Sequence, residues 1–240
     1  MDNPLSRLAP QLFGEYPKQF LNLVNAVSIG PDQEKDEIKS LLWKAYEFGN
    51  RHHEGQKRRS GEAYFTHCVA VAQTLATWKM DTTTIIAGLL HDTIEDTDVS
   101  VRALRQEFGD DLANLVDGVT KIGGIKFSSR KEKQAGNFMK MLLSVAQDLR
   151  VIIIKFADRL HNMETIKHMS KIKQHRIAVE TRDVYVPLAH RLGMSSVKSQ
   201  LEDRVFRVLD PTGYKELDSK IKSSKRQREK FIKEIIGPVA

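Results

Sequence analysis

VIIIKFADRLHNMET, residues 151–165, decides how this chain folds. VIIIKFA alone passes for a buried strand, because a short apolar run carries no periodicity of its own. Its flanks favour a helix. No turn signal separates the run from Asp158, and polar side chains then recur at helical spacing. Asn162 and Thr165 follow Asp158 by four and seven residues, which puts all three on one helix face. No run of alternating residues elsewhere supplies the rest of a sheet. The segment is read as a helix and the chain as all-α.

Helical signals continue in both directions. Residues 34–53 open with Glu34, Asp36 and Glu37, which suit the positive end of a helix, and carry an apolar stripe of Ile38, Leu41, Leu42, Ala45 and Phe48. The pattern continues over 62–79 and 81–91. Ser100 is an N-cap for VRALRQEF, Gly109 its terminator, and Asp110 a cap for DLANLVDGV. After Gly123 and Gly124, KFSSRKEK reads as an exposed loop. Further helices are expected at about 131–147, 149–168 and 174–190. Gly193 ends a helix, Ser195 or Ser196 starts another, and Asp210-Pro211 is a cap followed by proline at the first helical position. The expected organisation is a lead-in over 1–33, one helical domain over 34–210, and a basic helix or connector over 211–240.

Composition narrows the setting. The chain has 240 residues, 40% of them hydrophobic and 29% charged, which is ordinary for a globular protein. One cysteine, Cys68, cannot make an intrachain disulfide. The start of the chain lacks the basic and apolar regions of a secretory signal, and no apolar run approaches a membrane span, so a cytoplasmic location is expected. The net charge of +7 suits either nucleic acid or polyphosphate substrates. Residues 211–240 hold eight Lys or Arg against four Asp or Glu, so much of the excess lies on one solvated helix.

The chemistry centres on GLLHDTIEDT, residues 88–97. Neighbouring side chains on a helix diverge by about 100°, so His91 and Asp92 can share a metal only at a helix end or irregularity. His67 lies near the start of an apolar helical stripe, and alone it reads as an ordinary helix histidine. Asp158 follows a strongly apolar run, where a lone buried carboxylate is costly unless it is paired or ligates a metal. Two imidazoles and two carboxylates suit Mn²⁺, Fe²⁺ or Zn²⁺. Such a metal acidifies a bound water and polarises a phosphoryl oxygen. Glu95 and Asp96 are then spare carboxylates for orienting or deprotonating that water. Upstream, RHHEGQKRRSGEAY at 51–64 is basic and glycine-punctuated, and Arg58 and Arg59 are candidates for phosphate contacts or for stacking on a base.

Together, HEGQKRRSGEAYFTH at 53–67, AGLLHDTIEDT at 87–97, LVDGVTKI at 115–122, IKFADRLHNMET at 154–165 and VPLAHRLGM at 186–194 resemble the hydrolase half of the RelA/SpoT-type enzymes. Those enzymes belong to the HD phosphohydrolase superfamily and degrade the alarmones ppGpp and pppGpp. The resemblance implies an HD-type helical fold and removal of pyrophosphate from the 3′ position, giving GDP or GTP. It implies that His67, His91, Asp92 and Asp158 hold one Mn²⁺, and that Glu95 and Asp96 position and activate the water. It further implies that Arg58 packs against guanine, that Arg59 and Ser60 line the nucleotide pocket, and that Asn162 and Thr165 contact the nucleoside. Two positions depart from the family pattern: Cys68 and Ala63 stand where proline is common. Bifunctional relatives also carry synthetase and regulatory domains, so a longer parent chain is expected, with LEDRVFRVLDPTGYKEL as its connector. Direct nucleic-acid binding and membrane association are not expected of this segment. The alternatives are an HD hydrolase of another nucleotide, or a weakly active regulatory or partner-binding fragment.

Overall fold

The computed structural model describes residues 16–27, 32–123 and 148–236, with side chains described for 16–27, 36–121 and 148–224. The loop expected at 126–133, the helix expected at 131–147 and most of the 1–33 lead-in lie outside them. Every extended element among the described residues is helical, and the only extended pairing there is an isolated bridge between Lys57 and Ala63. The all-α reading holds. None of the described helices is long and apolar enough to cross a membrane.

The chain divides into two compact units, the first ending at His168 and the second beginning at Met169. The first contains α1 (Lys18–Ala26), α2 (Asp32–His52), α3 (Phe65–Thr77), α4 (Thr82–Leu90), the single turn α5 (Thr93–Asp96), α6 (Val101–Phe108), α7 (Asp110–Gly123), α8 (Leu149–Glu164) and a 3₁₀ turn at Ile166–His168. Its centre is α4, which packs against α2, α3, α7 and α8. The reason is compositional: IIAGLL, its last six residues, is apolar on every side, and such a stretch is stable only when enclosed. Thr84 through Leu90 are all buried, with Asp81 capping the helix by accepting from the Thr84 amide at 3.0 Å.

VIIIKFA forms the first half of α8, with Val151, Ile152, Ile154, Phe156 and Ala157 buried. Asp148 caps it, accepting from the Arg150 amide at 2.8 Å. Ser100 and Gly109 bound α6 as expected; Ser100 accepts from the Ala103 amide at 3.1 Å. Gly109 has φ +89°, a conformation that glycine adopts without a Cβ clash. The helix expected at 62–79 begins only at Phe65, because the chain before it folds into a tight turn. The Arg58 amide donates to the Glu62 carbonyl at 2.9 Å, and the Gly61 amide donates to the Arg58 carbonyl at 2.9 Å.

The second unit contains α9 (Lys171–Glu180), a π-helical turn at Thr181–Tyr185, α10 (Val186–Arg191), α11 (Ser195–Leu209) and α12 (Pro211–Ile236). The single helix expected at 174–190 is thus interrupted. Pro187, in the first turn of α10, has no N–H to donate to the preceding turn, and the backbone widens just before it. Asp210 caps α12, accepting from the Gly213 amide at 2.9 Å.

Helices α3 and α4 approach closely where Gly88 faces Ala72 and Leu75. A Cβ at Gly88 would lie 2.5 Å from Leu75 Cδ1 and 3.4 Å from the Ala72 backbone, and Leu75 is fully buried. Overpacking of this kind costs ~1–3 kcal/mol, offset by ~1 kcal/mol of helix propensity. Gly88→Ala is therefore expected to lower Tm by about 2–4 °C in a thermal melt; an unchanged or raised Tm would show that the two helices have room to spare.

Candidate metal centre and substrate site

The candidate ligands come from three places: the start of one helix, the break between two others, and the middle of a fourth. His67 sits in the first turn of α3. His91 and Asp92 fall between α4, which ends at Leu90, and α5, which starts at Thr93. That interruption lets two consecutive side chains face one place. Asp158 projects from the middle of α8.

His67 Nε2 lies 3.2 Å from Asp158 Oδ1 and 3.7 Å from Asp92 Oδ2. His91 Nε2 lies 3.1 Å from Asp92 Oδ1 and 3.9 Å from Asp158 Oδ1. Donor atoms of His67, His91 and Asp158 all fall within 4.8 Å of one another, and Asp92 touches the two histidines. The His91 ring donates from Nδ1 to the Gly88 carbonyl at 2.9 Å, so in the neutral ring Nε2 carries the lone pair. That buried atom makes no hydrogen bond despite its closeness to Asp92. Nitrogen and carboxylate are misaligned with each other, as two donors facing a common third point would be. A divalent cation fits this donor set.

Electrostatics favour the same conclusion. Burial pushes the Asp92 and Asp158 carboxyls upward, yet neighbouring charge wins: His91 and His67 hold Asp92 low, while Lys155 and the two histidines hold Asp158 low. Lys155 Nζ is 3.6 Å from Asp158 Oδ2. Burial drives His67 downward despite Asp158, which suits a neutral donor. For His91 burial also acts downward, but the Asp92 and Asp158 carboxylates outweigh it and raise the ring. Cys68, with His91 and Asp92, forms a second donor group. Its thiol is pushed far up by burial, then by Asp92 and Asp158, so it stays protonated and is a poor competitor.

The two other acids sit at the rim. Glu95 and Asp96 are exposed on α5 and, with His52, Gln56, Thr97 and Asp98, line a 460 Å³ hollow. Partial burial raises the Glu95 carboxyl, against Lys155 and with Asp92, Asp96 and Asp158. The Tyr64 hydroxyl lies 2.8 Å from Asp92 Oδ2 and 2.6 Å from Asp96 Oδ2, and its one proton serves one of them at a time. A larger 850 Å³ groove, among α2, the 53–56 segment and Phe65, holds none of the candidate ligands. The smaller hollow is not lined by those ligands either, but Glu95 and Asp96 line it, and that ties it to the chemistry.

Arg58 also reaches this cluster. Its guanidinium donates to Asn162 Oδ1 at 3.0 Å and Thr165 Oγ1 at 3.4 Å, and lies 3.1 Å from His161 Nδ1. Asn162 in turn donates to Asp158 Oδ1 at 2.5 Å. Arg59 and Ser60 remain on the turn: Arg59 is exposed, and Ser60 donates to Glu62 Oε2 at 2.9 Å. Three participants escaped the sequence reading: Tyr64, Lys155 and His161. The last two carry a readable signal, three residues before and after Asp158 on one helix face.

The HD-domain family pattern matches residues 45–195. The chain belongs to the HD-domain family. It is 49% identical to a Myxococcus xanthus GTP pyrophosphokinase, covering 85% of this chain and 27% of that relative. The bifunctional (p)ppGpp synthase/hydrolase SpoT of Escherichia coli is 45% identical, over 85% of this chain and 29% of its own length. An Aquifex aeolicus guanosine-3′,5′-bis(diphosphate) 3′-pyrophosphohydrolase is 44% identical, over 82% and 28%. The chain thus spans less than a third of these relatives. A solved structure, described as a metazoan ortholog of SpoT that hydrolyzes ppGpp, superimposes with TM-score 0.54 at 22% identity, over 81% of this chain and 97% of its own; this supports the fold alone. The HD family shares the all-α architecture found here.

Metal binding should be visible as stability. A divalent ion at 100 times its Kd stabilises the folded state by about 2.7 kcal/mol, so Mn²⁺ is expected to raise Tm and EDTA to reverse the rise. Asp158→Ala is expected to abolish this response, since a ligand and a charge disappear together. A full Mn²⁺ response in that variant would remove Asp158 from the ligand set.

Proposed function

We propose that this HD domain is a metal-dependent guanosine-3′,5′-bis(diphosphate) 3′-pyrophosphohydrolase, converting ppGpp and water to GDP and pyrophosphate, or pppGpp to GTP and pyrophosphate. The observation that carries the reading is the juxtaposition of a buried His–Asp centre with an arginine held by its edges. His161, Asn162 and Thr165 engage the Arg58 guanidinium along its rim. A guanidinium held in that way leaves a face for a planar base. The identity to alarmone hydrolases across most of the chain supports guanine as that base.

The resident cation of this proposal is Mn²⁺, held by His67, His91, Asp92 and Asp158. When bound, it supplies positive charge that acidifies water and stabilises a phosphoryl oxygen. The remaining work falls to the chain. Arg58 and Asn162 hold the nucleoside, Thr165 supports Arg58, and Arg59 and Ser60 on the exposed turn meet the phosphates. Glu95, with its carboxyl raised by partial burial, accepts a proton from the water that attacks the 3′ phosphorus. Asp96, whose carboxylate is fixed by the Tyr64 hydroxyl, orients that water. The bond from the 3′ oxygen to phosphorus breaks, pyrophosphate departs, and the 3′ oxygen takes up a proton.

Residues 34–210 are proposed as the hydrolase domain and 211–240 as a basic connector. The greater length of the relatives supports synthetase and regulatory domains as covalent partners in a longer parent chain. Cytoplasm, where guanosine nucleotides are made and spent, is the proposed location.

The test is product analysis with ppGpp and Mn²⁺. Equimolar GDP and pyrophosphate, lost with EDTA, are expected; intact ppGpp with a metal-loaded, folded protein, or a 5′-cleaved product, would overturn the reading. Glu95→Gln is expected to keep the Mn²⁺ thermal response while kcat falls by about 10²–10⁴. Wild-type kcat in that variant would reject Glu95 as the base.

A further inference from the structure

His161 stands at a junction that the proposed chemistry does not yet explain. Its Nδ1 lies 2.7 Å from His67 Nδ1 and 3.1 Å from Arg58 Nη1. A guanidinium nitrogen can only donate, so His161 Nδ1 is the acceptor there. The same lone pair then faces His67 Nδ1, and the single proton between the two rings belongs to His67. His67 is thereby the Nδ1–H tautomer, with its Nε2 lone pair turned towards Asp158 and Asp92. The two candidate imidazole ligands are oriented by different means. His91 donates to a carbonyl of its own helix, at Gly88, whereas His67 on α3 is oriented by a side chain from α8, more than 90 residues away.

We infer that His161 is a positioning residue that couples metal binding to substrate recognition, fixing the His67 tautomer and holding the Arg58 guanidinium through one acceptor atom. This rests on the hydrolase reading for the substrate half only; the metal half stands on geometry alone. Partners of metal-bound histidines typically contribute 10- to 100-fold in metal affinity or activity. Here the partner is shared with Arg58. Loss of the acceptor therefore disturbs both halves, and the halves sense each other through it. Asn162 adds a second strand to the coupling, since it accepts from Arg58 and donates to Asp158.

The experiment compares His161→Phe, which keeps a ring and removes the acceptor, with His161→Asn, whose amide oxygen can stand near the Nδ1 position. Mn²⁺ affinity is measured by calorimetry without nucleotide, and KM and kcat are then measured with ppGpp. His161→Phe is expected to weaken Mn²⁺ binding by about 10- to 100-fold and to raise KM on the order of tenfold, with a melt confirming the fold. His161→Asn is expected to recover most of both. Arg58→Ala, alone and combined with each variant, completes the cycle: the KM effects of Arg58→Ala and His161→Phe should be less than additive. Wild-type Mn²⁺ affinity in His161→Phe would overturn the inference. So would an Asn variant as defective as Phe, or fully additive KM effects. If wild-type protein binds Mn²⁺ but leaves ppGpp intact, the substrate reading fails while the metal comparison still judges His161.

Discussion

Two carboxylates buried at one place need positive charge, and much of the first unit is arranged around that need. The side chains of Asp92 and Asp158 are only 11% and 13% exposed. Left alone, one would take up a proton or draw in water. The chain instead surrounds them with His67, His91 and Lys155, so both remain ionised. His91 is raised by the same pair, because a proton on its ring supplies part of the missing charge. A divalent ion supplies more, and it suits donors that face a point between them rather than each other.

Meeting that need requires rigid helices broken in the right places. Enclosed α4 carries His91 at its C-terminal end, and the Gly88 carbonyl there orients the ring. The absence of a side chain at Gly88 lets α3 come close enough to bring His67 opposite. The turn before α3 delivers Arg58, and Gly61, with φ +91°, makes that turn possible. Each apolar contact in the core is thus also a statement about where a donor atom lies. Glu95 and Asp96, by contrast, sit on a single exposed helical turn at the rim, where water and substrate can reach them.

Much of this was legible in the sequence. The apolar period and the caps at Ser100 and Asp210 gave helix positions, because capping is local chemistry. The expectation that His91 and Asp92 need a helix break followed from the angle between adjacent side chains. What escaped was non-local. The 62–79 helix was set too early because the hydrogen bonds closing the Arg58 turn are not a property of any one residue. The π turn before Pro187 was missed because proline signals a disturbance without fixing its form. Lys155 pairs with Asp158 one helical turn away, whereas His161 reads as an ordinary polar position because its partner His67 lies far away in sequence. Tyr64 was hidden in the same way, 28 and 32 residues from the two carboxylates it serves.

Whether His67, His91, Asp92 and Asp158 form one metal centre is decided by anomalous diffraction from crystals grown with Mn²⁺. A single strong peak at the manganese edge is expected, bonded to Nε2 of both histidines and to oxygens of both aspartates. A peak bonded through Cys68, a peak on the exposed acids alone, or an empty centre at saturating Mn²⁺ would contradict it.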